Sequence, residues 1–293
     1  MPVATLRNNF NSSDRSQDDT LADIAMTFTR NLSSSLDLEL GFARKQRAPS
    51  YQERYLWLPL QATSGLADGK NYIGNVDLDP ETAYQFEIGL DWHTPRFAVS
   101  PRVFYHHVND YIQGVETDNA AAIMVSNMMS PESGTPLEYD NVDAKLYGID
   151  ANWLWALTDH WQLDGTVSYV RGKRRDTNDN LYRIAPLTAR TQLSYIEPDW
   201  RIGVEAVTVA EQNQVSAEND EEETSGYAIF NLSGEYQLSQ SLQVEGGINN
   251  LFDRKYRNHL GGYNRVSGNE DIAVGERLPG LGRSVYVGLN LNW

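Results

Sequence analysis

The sequence predicts an all-β protein, an antiparallel up-and-down transmembrane β-barrel of about twelve strands. Apolar and polar residues alternate with period two almost everywhere after residue 20, and helical periodicity is nowhere sustained. The connections between the alternating segments switch between short and long without exception. No apolar run approaches the ~20 residues of a helical membrane span, yet this acidic chain of 293 residues carries 16 Tyr and 7 Trp. A barrel strand needs only every second residue toward lipid, so a polar composition and a membrane location are compatible.

The strands follow in order. Val3–Phe10 is expected to be the first, which would place both termini at the short-turn end. Tyr84, Phe86, Ile88, Leu90 and Trp92 alternate with Gln85, Glu87, Gly89, Asp91 and His93. Ile149, Ala151, Trp153 and Trp155 repeat the pattern, as do Trp161, Leu163, Val167 and Tyr169, and Leu242, Val244 and Ile248. The chain closes on SVYVGLNLNW, with Val285, Val287, Leu289, Leu291 and Trp293 on one face. Ser33–Ser35, Thr94–Arg96, Thr158–His160, Glu197–Asp199 and Ser239–Ser241 read as tight turns. Between them run long polar loops, Pro49–Glu81, Glu116–Ala144, Arg174–Pro186, Gln212–Gly226 and Asp253–Gly280. A soluble sandwich has no physical reason to keep every long loop at one end, whereas outer-membrane barrels do.

Composition narrows the function. A formal charge of -16 argues against nucleic-acid binding. The absence of cysteine removes disulfides and thiolate metal sites. The opening MPVATLRNNF lacks the charged and apolar regions of a secretory leader. No nucleophile elbow, HExxH or phosphate loop is present, so an enzyme is not expected, and no cofactor is implied.

Three stretches carry a family resemblance. FARKQRAPSYQERYLW (Phe42–Trp57) is followed by an N-x-x-L-x-P-E element at Asn75, Leu78, Pro80 and Glu81. GINNLFDRKYRNH (Gly247–His259) contains N-N-L-F-D-x-x-Y, and PGLGRSVYVGLNLNW (Pro279–Trp293) ends on an aromatic. In order and spacing these resemble TonB-dependent outer-membrane receptors. The resemblance implies a barrel of about 22 strands around a plug, of which residues 1–293 would be the C-terminal half, with plug domain and signal peptide absent. It implies uptake of a scarce nutrient such as an iron siderophore or another metal complex across a Gram-negative outer membrane. The implied partners are outer-membrane lipid and lipopolysaccharide, the barrel assembly machinery, an extracellular nutrient, and a periplasmic TonB-type coupling protein acting through the plug. A self-contained passive pore of about twelve strands is the alternative.

Within that frame, Tyr286, Gly288, Leu289, Leu291 and Trp293 are expected to form the insertion signal read by the assembly machinery. Asn249, Asn250, Leu251, Phe252 and Asp253 are expected to shape a strand exit, because Asn and Asp tolerate left-handed backbone. Tyr51, Tyr55, Trp57, Tyr72, Tyr256 and Tyr263 are aromatic candidates for ligand-binding loops. Met124, Met128 and Met129 lie in an expected loop, with His106 and His107 on the preceding strand. Thioethers suit Cu(I), while adaptable packing is the plainer use. The acidic run Glu218–Glu223 is expected to be a solvated loop tip. Glu39, Glu87, Asp91, Asp150, Asp164, Glu205, Arg102, Arg190 and Arg201 share the lumen-facing phase, where such residues would hold a plug.

Overall fold

The computed structural model describes residues 1–61, 68–131, 134–268 and 270–291. One antiparallel sheet runs through β1 (Ile24–Ser33), β2 (Leu36–Arg47), β5 (Glu81–His93), β6 (Phe97–Glu116), β7 (Leu137–Ala156), β8 (Trp161–Arg174), β9 (Thr188–Ile196), β10 (Trp200–Val209), β11 (Tyr227–Ser239), β12 (Leu242–Asn249) and β13 (Ser284–Leu291). These eleven strands pair strictly with their sequence neighbours. Two short strands, β3 (Leu60–Gln61) and β4 (Asn71–Ile73), sit in the connection after β2. The sheet is open, because β1 bonds only to β2 and β13 only to β12.

Hydroxyl side chains make the short turns. Thr94 Oγ1 accepts from the Phe97 amide at 3.0 Å and Thr158 Oγ1 from the Trp161 amide at 3.0 Å, local bonds that reverse the chain. Next to these turns the outward rings form a girdle. Trp92 meets Phe97 at 5.3 Å, Phe97 meets Trp155 at 6.1 Å, and Tyr195 lies between Trp161 and Trp200 at 5.0 and 5.3 Å. Above the girdle, Phe28, Phe86, Ile88, Val103 and Ile149 remain exposed on the same phase. So large an exposed apolar surface on one phase matches the lipid-facing band that the strand alternation predicts.

The opposite phase is polar and partly satisfies itself across strands. Arg102 reaches Asp91 at 2.8 Å and Glu87 at 3.8 Å. Arg190 pairs with Glu205 at 3.5 Å and Arg201 with Asp164 at 3.7 Å. Gly89 makes room for the first of these, since a Cβ there would lie 2.4 Å from the Arg102 side chain.

The sequence reading needs correction at its start. Pro2–Ser12 forms helix α1, not a strand. Pro stands at the first helical positions, where its missing N–H costs nothing. Leu6 is then buried with Ile73, Ala122 and Val125. A window of eight residues does not separate period 2 from period 3.6, and the contact with Ala122 and Val125 decides it. Residues ahead of β1 therefore lie at the long-loop end, because β1 runs from there down to the Ser33–Leu36 turn. Two further helices occur in the long connections, α2 (Tyr51–Tyr55) and α3 (Ala120–Met129). Asn119 starts α3 by accepting from the Ala121 and Ala122 amides at 3.1 and 3.2 Å. The three methionines are thus on a helix rather than in a loop.

Candidate ligand-binding site

The site is built where the outer ends of β2, β5 and β6 meet the long connections. Ser50 and Glu53 close a capping box on α2, with Glu53 N to Ser50 Oγ at 3.3 Å and Ser50 N to Glu53 Oε2 at 2.6 Å. Arg47 then joins the two motif segments. Its Nη1 lies 2.8 Å from Glu53 Oε2, while Nε and Nη2 bind both oxygens of Glu81 at 2.9 and 2.7 Å. Glu81 Oε1 also accepts from the Ile112 amide at 2.8 Å. Leu78 is buried beside Tyr72, Ile112, Leu137 and Tyr139. The motif residues build the support, and three of them, Arg47, Glu53 and Glu81, also line the cavity above it.

Above this support, Arg47, Tyr111, Gln113, Tyr139, Tyr182 and Arg183 surround a cavity of about 330 Å³. Two of its phenols converge on one carboxyl oxygen. Tyr72 and Tyr182 donate to Asp68 Oδ2 at 2.5 and 2.9 Å. Burial, with Asp68 close by, pushes both phenols above their ordinary range, so they stay protonated as donors. Arg183 sits at φ 58, a left-handed conformation that costs an ordinary side chain of order 1 kcal/mol. Its amide donates to Glu221 Oε1 at 2.9 Å and its guanidinium to the Leu260 carbonyl at 2.5 Å.

Glu221 is the centre of a latch. Oε2 accepts from the Ser216 amide at 2.9 Å, and Oε1 lies 3.0 Å from His259 Nε2. The two side chains are 3 % and 1 % exposed. Thr224 Oγ1 holds the other ring nitrogen at 3.0 Å. Gln113 reaches Asn219 at 3.2 Å, and Asn219 donates to the Gly114 carbonyl at 2.8 Å. Connections separated by up to about a hundred residues are thereby bonded into one roof. The acidic run is consequently not a uniform solvated tip, because Glu221 is buried at its middle. No motif marks Asp68, Gln113, Tyr182 or Arg183; Glu221 reads only as part of an acidic run and His259 only as the end of a family stretch. Their burial comes from chain segments that meet only in the folded state.

The predicted residues divide. Tyr72 is in the core, stacked on Tyr139 at 5.2 Å and 1 % exposed. Trp57 packs against the α1–α3 contact. Tyr51 is 79 % exposed, beside Tyr55, whose hydroxyl bonds the Arg15 carbonyl at 3.1 Å. Tyr256 packs on Tyr227 at 4.5 Å. Tyr263 accepts from Arg277, whose guanidinium lies 4.6 Å over its ring, and lines a second cavity of about 230 Å³ with Asp68, Lys70, Asp220 and Asn264. His106 and His107 point to opposite faces of β6, since His106 pairs across to Leu146 and His107 to Lys145. They do not form a joint metal site, and no cluster of three or more His, Asp or Glu suited to a metal exists among the described residues.

At the C-terminus, Val285, Val287, Leu289 and Leu291 are 58 to 76 % exposed on the lipid phase. Tyr286 and Gly288 occupy the other phase, opposite Gly247 and Glu245. Trp293 lies outside the described residues. The strand-exit reading of the Asn-rich motif holds in detail. Asn250 and Asp253 have φ of 50 and 53, and Asn250 bonds Arg254 N, Arg254 O and Leu281 O at 2.8, 2.9 and 3.2 Å.

Residues 3–251 match the family model described as TonB dependent receptor-like, beta-barrel. The chain belongs to the TonB-dependent receptors. It is 25 % identical over 278 residues to the ferrienterobactin receptor of Escherichia coli K12, covering 89 % of this chain and 36 % of that protein. It is 26 % identical over 243 residues to the heme/hemopexin utilization protein C of Haemophilus influenzae Rd, covering 76 % and 33 %. Among solved structures, the copper transporter OprC superimposes with a TM-score of 0.78 at 25 % identity, over 93 % of this chain and 40 % of its own. The chain thus spans about a third of the length of the curated relatives it matches. By name the first of these relatives is a receptor and OprC a transporter, and the family to which the chain belongs is one of receptors, not enzymes.

Proposed function

We propose that this chain forms the wall and several ligand-facing loops of a Gram-negative outer-membrane receptor for TonB-dependent uptake of a scarce nutrient, an iron siderophore or another metal complex. The observation that carries this is the roof: connections far apart in sequence are bonded together around a cavity edged by phenols and the Arg183 guanidinium. Guanidinium and phenol donors suit an anionic, aromatic chelate. In the receptor that carries this segment, Arg183→Gln with Tyr182→Phe should weaken equilibrium binding of a ferric catecholate at least tenfold. Unchanged affinity would overturn the assignment of this cavity.

Active transport would need the plug, with energy supplied through a TonB-type coupling protein. Delivery to the membrane would use the barrel assembly machinery, reading the terminal strand. Deleting Trp293 should then lower the folded yield in the outer membrane.

Strand direction speaks against the self-contained pore. Both edge strands, β1 and β13, run from the long-loop end to the short-turn end. Joining them would create a parallel seam in an otherwise antiparallel wall. Stable single-channel conductance from residues 1–293 alone in a planar bilayer would contradict this argument.

A second reading of the substrate is copper. Met124 and Met128 stand one helical turn apart on α3, 57 % and 76 % exposed, which places two thioethers side by side. The overlap with OprC points the same way. A Met124→Leu/Met128→Leu variant should lose Cu(I) binding while keeping ferric catecholate binding.

A further inference from the structure

The cavity at the strand ends and the second cavity in the roof, about 330 and 230 Å³, share one side chain. Among the described residues Tyr182 alone lines both. Its hydroxyl is tied by a single bond, 2.9 Å to Asp68 Oδ2, and Asp68 belongs to the wall of the roof cavity. Tyr72, on the strand-end side, donates to the same oxygen. The partition between the cavities is therefore Tyr182, with Asp68 as its catch.

The two phenols differ in freedom. Tyr72 is buried and stacked on Tyr139, so its ring stays in place. Tyr182 is only partly buried, and no ring contact holds it among the described residues. Its backbone, by contrast, is pinned. Leu181 is fully buried with Val108 and Ala144, the Tyr182 amide donates to Gln113 Oε1 at 3.2 Å, and the Arg183 amide to Glu221. Asp68 is held as well, because its Oδ1 accepts from the Lys70 amide at 3.1 Å. What is left to move is the Tyr182 ring, by a change of rotamer about a fixed Cα.

We infer that Tyr182 is a specificity-determining partition, caught shut by Asp68, which admits a single aromatic arm when closed and a branched, amide-bearing chelate when open. Size gives the partition its use. The strand-end cavity alone lies at the small end of ligand pockets, which run from about 300 to 1,000 Å³. With the ring aside the two cavities become one chamber, and a branched chelate can set one arm beside Arg183 while its backbone occupies the roof side. The roof cavity sets Asp68, Asp220, Glu221 and Glu222 against Lys70 and Arg265. The part of the ligand that crosses into it therefore carries N–H donors rather than further negative charge. A ligand that fits only the joined chamber must first break the catch, so removing the catch favours it over a small one.

The inference rests on the ligand reading of the strand-end cavity proposed above. The test uses the receptor that carries this segment and two probes, 2,3-dihydroxybenzoate as the single arm and the ferric complex of a tris-catecholamide on a polyamine backbone as the branched chelate. Equilibrium affinities for both are measured, and their ratio is the readout, since general loosening of the roof changes both together. Asp68→Ala should raise the preference for the branched chelate at least fivefold, and a smaller change overturns the partition. Tyr182→Phe keeps the ring and the Tyr72–Asp68 bond and removes only the catch. It should shift the ratio in the same direction, at least threefold, and decides the matter alone if Asp68→Ala does not fold; an unchanged or reversed ratio overturns the inference. Arg183→Gln separates the two readings. If it leaves both affinities intact, the ligand reading of the cavity fails. If it weakens both while the ratio stays fixed in Asp68→Ala and Tyr182→Phe, only the partition fails.

Discussion

Arg54 and Asp19 meet through two parallel bonds, Nη1 to Oδ2 at 2.6 Å and Nη2 to Oδ1 at 2.8 Å. Arg54 also donates to the Leu78 carbonyl at 2.8 Å, and its side chain is 7 % exposed. This fork fastens the segment ahead of β1 to the connection after β2. The Arg54 hydrogen bond holds the Asp19 carboxyl below its ordinary value of 3.8. A depressed folded-state pKa means the fork stabilises fully above that ordinary value and is lost as pH falls through the depressed one. The protection of the α1 amides, with the intrinsic pH dependence of exchange divided out, should therefore be flat down to about pH 4 and fall below it. Asp19→Asn should produce the same loss of protection already at neutral pH, at a cost of about 2 kcal/mol.

Asn141 clamps the stretch before β5 to the bulge of β6. It accepts from the Asp79 amide at 2.8 Å and donates to the Asp79 and Asp110 carbonyls at 3.0 and 2.8 Å. Asn141→Ala leaves these groups to water and should cost about 1–3 kcal/mol. Asn141→Asp should be worse, because it turns a carboxylate toward two carbonyl oxygens. Thermal unfolding of the two variants ranks them.

Gly280 lies against the Tyr256 ring so closely that a Cβ would come within 2.2 Å of it. A ring packed against Tyr227 at 4.5 Å has little freedom to retreat, whereas the Arg102 chain beside Gly89 is flexible. Gly280→Ala should consequently lower Tm by several degrees more than Gly89→Ala.

Glu221→Gln keeps the size of the latch but sets an amide N–H against a neighbouring donor, either the Ser216 amide or the groups on Oε1. Exchange should rise at least tenfold across both 212–226 and 259–280. Loosening confined to 212–226 would show that His259 does not transmit the contact.

What the sequence reveals follows from the range of the interactions involved. Facing in β5, β7 and β8 is read from alternation because lipid and lumen differ at every step. The turns at Thr94 and Thr158 are read because the hydroxyl acts within three residues. The left-handed Asn250 and Asp253 are equally local. The candidate site is not local. Glu221 looks like one more acid in an acidic run until Ser216, Arg183 and His259 close over it. Tyr72 looks like a ligand aromatic until Asp68 takes its hydroxyl. The helix at Pro2–Ser12 is decided by a partner more than a hundred residues away.

The shared direction of β1 and β13 has a consequence for engineering by truncation. Removing β1 alone would leave ten strands with edges of opposite direction, so the remaining arc could in principle be sealed antiparallel or extended by whole hairpins. Removing or grafting hairpins on the present arc never achieves this, since two strands at a time preserve the mismatch. Any designed complement to the intact segment must both begin and end on a strand running toward the long-loop side. A circular permutant that respects this count should assemble, and one that misses it by a single strand should not.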